Sequence, residues 1–255
     1  MKTKHLYTLL LLFLIIIFTI FFFVNKKETV AIIGAMDVEI EEVASNMTCV
    51  KQKQLNDFKI ITGKIGKYRI ILSKSGIGKV NSAITTQFII DKYKPKYIIN
   101  IGIAGGLSPN IKSGDTIIGK KMVQHDFDIT AFGKPKGYID NKMEPNKPTL
   151  FYSDKTLINK FSKEKSLING FIASGDIFVS DKKTKIDIKN EFGVDAIDME
   201  SAAIAQTAKR NNIPFIVLRT ISDGLNETAK EYKQNKQSSA NKPSLMVVKI
   251  LKSDK

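Results

Sequence analysis

Cysteine is almost missing. Cys49 is the only one in 255 residues, so no disulfide can form within the chain and no cysteine cluster can hold a metal. Histidine is nearly as scarce: His5 and His125 stand alone with no G-x-S-x-G elbow, which leaves serine–histidine acyl transfer without its parts. A G-x-x-x-x-G-K-[ST] loop for nucleoside triphosphates is lacking, as is any ligand spacing suited to zinc. Acids are outnumbered, 25 Asp+Glu against 40 Lys+Arg, for a net charge of +15. That excess attracts anionic surfaces: nucleic acid, anionic lipid or acidic polysaccharide. No run of five basic residues occurs, which leaves dispersed, solvated lysines as the plainer reading.

One apolar run is long. Leu6 to Val24, nineteen uncharged residues, lies between Lys2 and Lys4 on one side and Lys26 and Lys27 on the other. At helical rise it reaches roughly 28 Å, close to the hydrocarbon thickness of a bilayer. It ends Phe-Phe-Phe-Val with no small-residue cleavage site, so residues 1 to 27 are expected to form a membrane anchor or uncleaved signal segment. The flanking lysines nearly cancel as an orientation signal. A single N-terminal anchor more often leaves its domain outside, so the expected location is membrane-anchored with the folded domain outside the cytoplasm.

Residues 28 to 255 read as one domain of alternating strands and helices. Thr29 to Ile33 is a branched apolar run that breaks at Gly34-Ala35, and Asp37, Glu39, Glu41 and Glu42 open a helix. Phe58 to Thr62 and Tyr68 to Ser73 are expected strands about the Gly66-Lys67 turn. Ser75-Gly76-Ile77-Gly78-Lys79 leads into a helix with Val80, Ala83, Ile84 and Phe88 at helical spacing, stopping before Pro95. Tyr97 to Ile103 has the continuous apolar character of a strand buried on both faces. Asp115 to Gly119 and Met122 to Asp126 continue the sheet, and residues 133 to 150 form a long loop. Helices are expected over Asp154 to Lys165, Lys182 to Glu191, Ser201 to Arg210 and Ser244 to Lys252. Strands are expected over Phe171 to Ser174 and Phe215 to Arg219, and residues 226 to 243 read as a linker, polar but partly helical. The pattern predicts an α/β domain with helices flanking a largely buried sheet.

Three carboxylates stand at strand edges in different units: Glu39, Glu200 and Asp223. Rigid elements place them where α/β sheets gather ligands. Each also has an ordinary reading, Glu39 and Glu200 as acids favoured at helix starts and Asp223 as a turn former before Gly224. Together they suit displacement at a glycosidic carbon, which needs an acid for the leaving group and a base for water.

Seven stretches then carry a resemblance. They are Ile33-Gly34-Ala35-Met36, Ser75-Gly76-Ile77-Gly78-Lys79-Val80, Gly105-Gly106-Leu107, Asp128-Ile129-Thr130-Ala131-Phe132-Gly133, Ser174-Gly175-Asp176, Asp198-Met199-Glu200-Ser201-Ala202 and Arg219-Thr220-Ile221-Ser222-Asp223. In order and spacing, over essentially all of residues 29 to 252, they resemble the bacterial 5'-methylthioadenosine/S-adenosylhomocysteine nucleosidases. The resemblance implies a nucleoside phosphorylase/hydrolase-like fold: a single three-layer α/β domain with a mixed central sheet flanked by helices, preceded here by the N-terminal hydrophobic helix. It implies a homodimer that cleaves the N-glycosidic bond of methylthioadenosine and S-adenosylhomocysteine, without cofactor or metal, to adenine and a thioribose.

By the same resemblance Asp223 would protonate adenine N7 with Ser222 orienting its carboxyl. Glu39 would activate the attacking water, helped by Arg219, and Glu200 would hold the ribose hydroxyls. Phe178 would stack on adenine while the Val179 backbone reads its edge. Met36, Ile77, Met199 and Tyr232 would surround ribose and sulfur beside Ala104 and Gly105, and Ile129 and Phe132 would reach the partner's site. Plain core packing is the other reading of Phe178, Met36 and Met199. Two positions depart from the family pattern: Ile103 stands where it has a Ser or Thr hydroxyl, and Lys134 where it has an aromatic. A purine nucleoside phosphorylase of the same fold is the alternative enzyme. The basic excess suggests anionic polysaccharide or lipid as a further partner rather than a specific nucleic acid, through a surface stripe of Lys182, Lys185 and Lys189 at helical spacing.

Overall fold

The computed structural model describes residues 28 to 139 and 144 to 254. At its centre are three parallel strands, β1 (Thr29–Gly34), β5 (Tyr97–Gly106) and β10 (Phe215–Asp223), with β1 and β10 on either side of β5. Their near-continuous apolar sequences are those of strands covered on both faces, and all nine residues of β10 are buried. Beyond β1 the sheet runs through β4 (Tyr68–Lys74), β3 (Phe58–Ile65) and the edge strand β2 (Thr48–Leu55). Beyond β10 it runs through β6 (Thr116–Gln124) and β8 (Leu167–Ser174) to β9 (Ala196–Asp198), which pairs back onto β5. Short β7 (Phe151–Tyr152) joins β6. Parallel and antiparallel pairings both occur, so the sheet is mixed.

Side chains alternate across this sheet with a period of two. Val30, Ile32, Ile99, Ile101, Ile216 and Leu218 point into one apolar layer, which α1 (Asp37–Ser45), α3 (Lys155–Phe161) and α6 (Ala229–Ser253) complete. Ala31, Ile33, Ile98, Phe215 and Val217 point into the other, against α2 (Lys79–Tyr93) and α5 (Ser201–Arg210). The alanines of α5 let that helix lie close: Ala202, Ala205 and Ala208 have no exposed surface. A third, smaller cluster gathers Leu107, Val123, Ile188 and Val194 around α4 (Lys182–Phe192).

Several elements differ from expectation. Strand β2, TCVKQKQL, is exposed along nearly its whole length, so no apolar alternation marked it. β6 is one strand whose pairing with β8 shifts register between Gly119 and Lys121, which explains why its sequence reads as two pieces. β10 runs on to Asp223, which is the strand's last residue and not part of a following turn. The segment at 226 to 243, expected to be a partly helical linker, is mostly helix and no linker: α6 spans 25 residues, starts at a Thr228–Glu231 capping box and carries Pro243 in its interior.

The expected N-terminal hydrophobic helix and the span over residues 6 to 24 lie outside the described residues. Among the described residues no helix is long and apolar enough to cross a membrane, and that finding corrects the expected membrane-anchored location. The lysine stripe is corrected as well. Lys182 is exposed and Lys189 partly so, but Lys185 is entirely buried.

Phe161, on α3, has no exposed surface and packs into the layer beneath β5 and β10. Its truncation to alanine should cost about 3–5 kcal/mol of unfolding free energy in denaturant titrations, through lost burial and the cavity left behind.

Candidate active site

Glu39 is the third residue of α1, and its side chain folds back over the helix start. One oxygen accepts the Ala35 and Met36 N–H groups at 2.6 and 2.9 Å, and the other accepts the Ile103 N–H at 3.0 Å. Three main-chain donors thus fix the carboxylate, which is 1% exposed. Burial pushes its pKa above the ordinary glutamate range, with Arg219 and the three N–H groups pulling the other way.

Arg219 lies in the middle of β10 with no exposed surface. Its Nε donates to Asp198 Oδ2 at 2.7 Å and to Ser201 Oγ at 3.1 Å; Nη1 donates to Ile101 O at 3.1 Å and Nη2 to Asn100 Oδ1 at 2.9 Å. The same guanidinium stands 3.9 Å from Glu39 Oε1 and 3.5 Å from Glu200 Oε2. Gly102 makes this approach possible, since a Cβ there would sit 1.7 Å from Nη1 and 2.5 Å from the Glu39 carboxylate. Asp198, at the end of β9, is held in turn by Ser174 Oγ at 2.5 Å, by the Glu200 and Ser201 N–H groups at 3.2 Å, and by the Ser201 hydroxyl. It therefore meets two main-chain N–H groups at the start of α5 as well as pairing with Arg219.

Glu200 immediately precedes α5. The Gly78 N–H, from the glycine turn before α2, donates to its Oε1 at 3.0 Å. Burial pushes the Glu200 carboxyl up to about 7; Arg219 opposes this, and the neighbouring charges of Asp198 and Glu39 reinforce it. Asp223 closes β10 where the ladder with β5 shifts register after Ile221. Ser222 Oγ donates to Asp223 Oδ1 at 2.7 Å and Lys185 Nζ donates to Oδ2 at 2.8 Å.

The three acids meet at a cavity of about 310 Å³. Glu39, Glu200, Ser222 and Asp223 share its wall with Met36, Ile77, Ala104, Gly105, Phe178, Val179, Met199 and Tyr232. Phe178 and Tyr232 pack edge to face at 5.0 Å, which brings α6 to the site. Arg219 lies beneath the wall rather than on it. Ile129 and Phe132 do not line the cavity; Phe132, on a short 3-10 turn, is 82% exposed. Lys134 is also absent from the lining and stacks over the Tyr138 ring at 5.0 Å.

Sequence reasoning missed Asp198, Asn100 and Ser201, which hold Arg219, and Lys185, which holds Asp223. The first three carry no periodic signature. For Lys185 a signal was present: it shares the inward face of α4 with Ile188 and Phe192, at i, i+3 and i+7, a core face into which one lysine has been set.

The phosphorylase superfamily profile matches residues 29–252. A 5'-methylthioadenosine/S-adenosylhomocysteine nucleosidase of Staphylococcus haemolyticus is 39% identical over 208 residues, 78% of this chain and 88% of that protein. Its counterpart from an Exiguobacterium species is 37% identical over 207 residues, 78% and 87% of the two chains. The crystal structure of the Neisseria meningitidis nucleosidase in complex with methylthio-immucillin-A superposes with a TM-score of 0.82 at 36% identity, covering 89% of this chain and 99% of that one. The chain belongs to the phosphorylase superfamily and, within it, to the 5'-methylthioadenosine/S-adenosylhomocysteine nucleosidase family.

Proposed function

We propose that this chain hydrolyses the N-glycosidic bond of 5'-methylthioadenosine and S-adenosylhomocysteine, releasing adenine and the corresponding thioribose. One observation carries the reading: Glu39, Glu200 and Asp223 converge on one largely apolar cavity whose wall contains no lysine or arginine among the described residues. Phosphorolysis would bring a phosphate dianion against Glu39 and Glu200, with the nearest guanidinium already committed to Asp198, Asn100 and Ile101. Water needs no such cation. Hydrolysis therefore suits this charge pattern better than transfer to phosphate.

In this reading the adenine lies against Phe178, with the Val179 main chain along its edge. Asp223, oriented by Ser222, gives a proton to N7 as the C1'–N9 electron pair passes to the base. Glu39 takes a proton from water, whose oxygen attacks C1', and Arg219, beneath the wall, faces that carboxylate at 3.9 Å. Glu200 accepts hydrogen bonds from the ribose hydroxyls, contacts that strengthen as the ring gains oxocarbenium character. Met36, Ile77, Met199 and Tyr232, beside Ala104 and Gly105, surround the sugar and the thioether.

We infer a homodimer as the working form, and residues 28 to 255 as the nucleosidase domain. Ile77, Val80, Ile84, Phe132 and Ile177 are large apolar residues left more than half exposed, two of them on the cavity's wall. A second copy covering them would let the partner's Ile129 and Phe132 approach the thioether end of the site. The surface lysines support at most a diffuse, salt-sensitive attraction to anionic polysaccharide.

Incubation with methylthioadenosine should yield adenine and free methylthioribose without phosphate. A sugar 1-phosphate formed only when phosphate is added would replace hydrolase with phosphorylase. Glu39→Gln should lower kcat by about 10²–10⁴-fold while leaving affinity for a substrate analogue within a few fold, because the amide keeps the shape but takes no proton. The pH profile supplies a third measurement. Glu39 and Glu200 act as carboxylates and burial raises both, so kcat/KM should fall on the acid side along a limb well above 4.5. An acid limb at or below that value would show that these groups are not desolvated in the working enzyme.

A further inference from the structure

The cavity's acids are balanced by two buried cations, and only Arg219 follows from the family motifs. Lys185 is the other. It leaves α4 on the face that packs inward, while its neighbours Lys182 and Lys183 stay exposed. Its side chain has no exposed surface. The three N–H bonds of an ammonium find three acceptors: Asp223 Oδ2 at 2.8 Å, Gly224 O at 2.8 Å and Glu227 O at 3.0 Å. Taking an ammonium out of water is costly unless it is paired and fully hydrogen-bonded, and here both conditions hold.

Each acceptor bears on the site. Asp223 is the residue read above as the acid. The two carbonyls belong to the short segment between β10 and α6, where the Gly224 N–H is itself tied to the Glu227 carboxylate at 2.6 Å. That segment leads into the helix that carries Tyr232 to the edge of Phe178. One side chain therefore joins the acid, the turn behind it and the start of the helix that closes the pocket.

We propose that Lys185 is a positioning residue for the glycosidic cleavage step, holding Asp223 so that its proton is presented from Oδ1. The inference rests on the reading of Asp223 as the general acid. An ammonium can only donate, whereas the Ser222 hydroxyl can donate or accept. When Asp223 is protonated, Oδ2 stays committed to Lys185 and the acidic hydrogen resides on Oδ1, beside Ser222. As that hydrogen passes to the base and the C1'–N9 pair leaves with it, negative charge appears on a carboxylate already facing a fixed cation, which needs no reorganisation to meet it.

The test compares Lys185→Met, which keeps the length without the charge, and Lys185→Arg with the unmodified enzyme on two substrates. One is methylthioadenosine. The other is the methylthioriboside of 4-nitrophenol, whose leaving group departs as a stable anion without a proton. Lys185→Met should lose on the order of 10²-fold in kcat on methylthioadenosine with KM changed by less than about threefold. The loss on the nitrophenyl substrate should be at least about tenfold smaller, and Lys185→Arg should recover part of the rate. Equal losses on both substrates, or unchanged kcat on methylthioadenosine, would overturn the proposal.

If Lys185→Met fails to fold because Asp223 is left buried without its partner, the double variant Lys185→Met/Asp223→Asn removes both charges. Set against Asp223→Asn alone, it should change the residual rate by less than about threefold, as expected when one residue acts through the other. A further large loss would overturn the proposal. An unmodified enzyme that releases no adenine from methylthioadenosine would refute the underlying reading, a result separate from an active Lys185→Met.

Discussion

Arg219 sits in the middle of β10 with no exposed surface, and a guanidinium there is tolerable only if its charge and its donors are met. Asp198 supplies the charge; Asn100, Ser201 and Ile101 supply the remaining acceptors. These partners come from β9, β5 and the first turn of α5, so the demand of one side chain fixes how three elements meet. Gly102 belongs to the same constraint, because any larger residue would occupy the space of the guanidinium. Deleting one partner of such a buried pair typically costs about 3–5 kcal/mol, far more than the pair is worth against a hydrophobic replacement. Stability alone therefore does not account for it. The return is that Glu39 and Glu200, neither of which could stand ionised in an apolar wall, both lie within 4 Å of one immobile positive charge.

Lys185 does the equivalent for Asp223, so the cavity divides into two electrostatic halves. In the function proposed above, Arg219 would serve the side where Glu39 takes a proton from water and Glu200 holds the sugar, and Lys185 the side where Asp223 gives a proton up. Separate cations keep the two tasks from sharing one charge. Glu39 and Glu200 sit with Arg219 in a tight cluster of like acids, and their mutual repulsion adds to burial in raising Glu200. Asp223 lies outside that cluster, with its oxygens divided between Ser222 and Lys185.

The central strands were legible because their chemistry is local: apolar runs of branched residues with glycines at their ends can do little else. The three acids were legible as a set only because each follows or precedes such a run. What escaped was whatever depends on contacts between distant segments. Asp198 lies two residues before Glu200, yet nothing in the sequence says that it points at Arg219. Lys185 looked like one more surface lysine in a helix with Lys182, Lys183 and Lys189, and charge composition outweighed the inward periodicity it shares with Ile188. The exposed strand β2 and the polar half of α6 escaped for the opposite reason. They are ordered by pairing and capping, which leave little apolar signature.

Ile103 brings the two kinds of information together. The family pattern has a hydroxyl at this position, and its replacement by isoleucine removes a polar group from the wall of the cavity. Glu39 does not depend on that hydroxyl, because all three of its hydrogen bonds come from main-chain N–H groups, one of them Ile103's own. A side chain can vary where the backbone carries the contact. The isoleucine is itself 7% exposed and puts an apolar side chain on the wall that it shares with Glu39. Burial is the leading cause of Glu39's raised pKa, and an apolar wall works in that same direction, which would suit Glu39 as the proposed base, while the main-chain donors hold it in place.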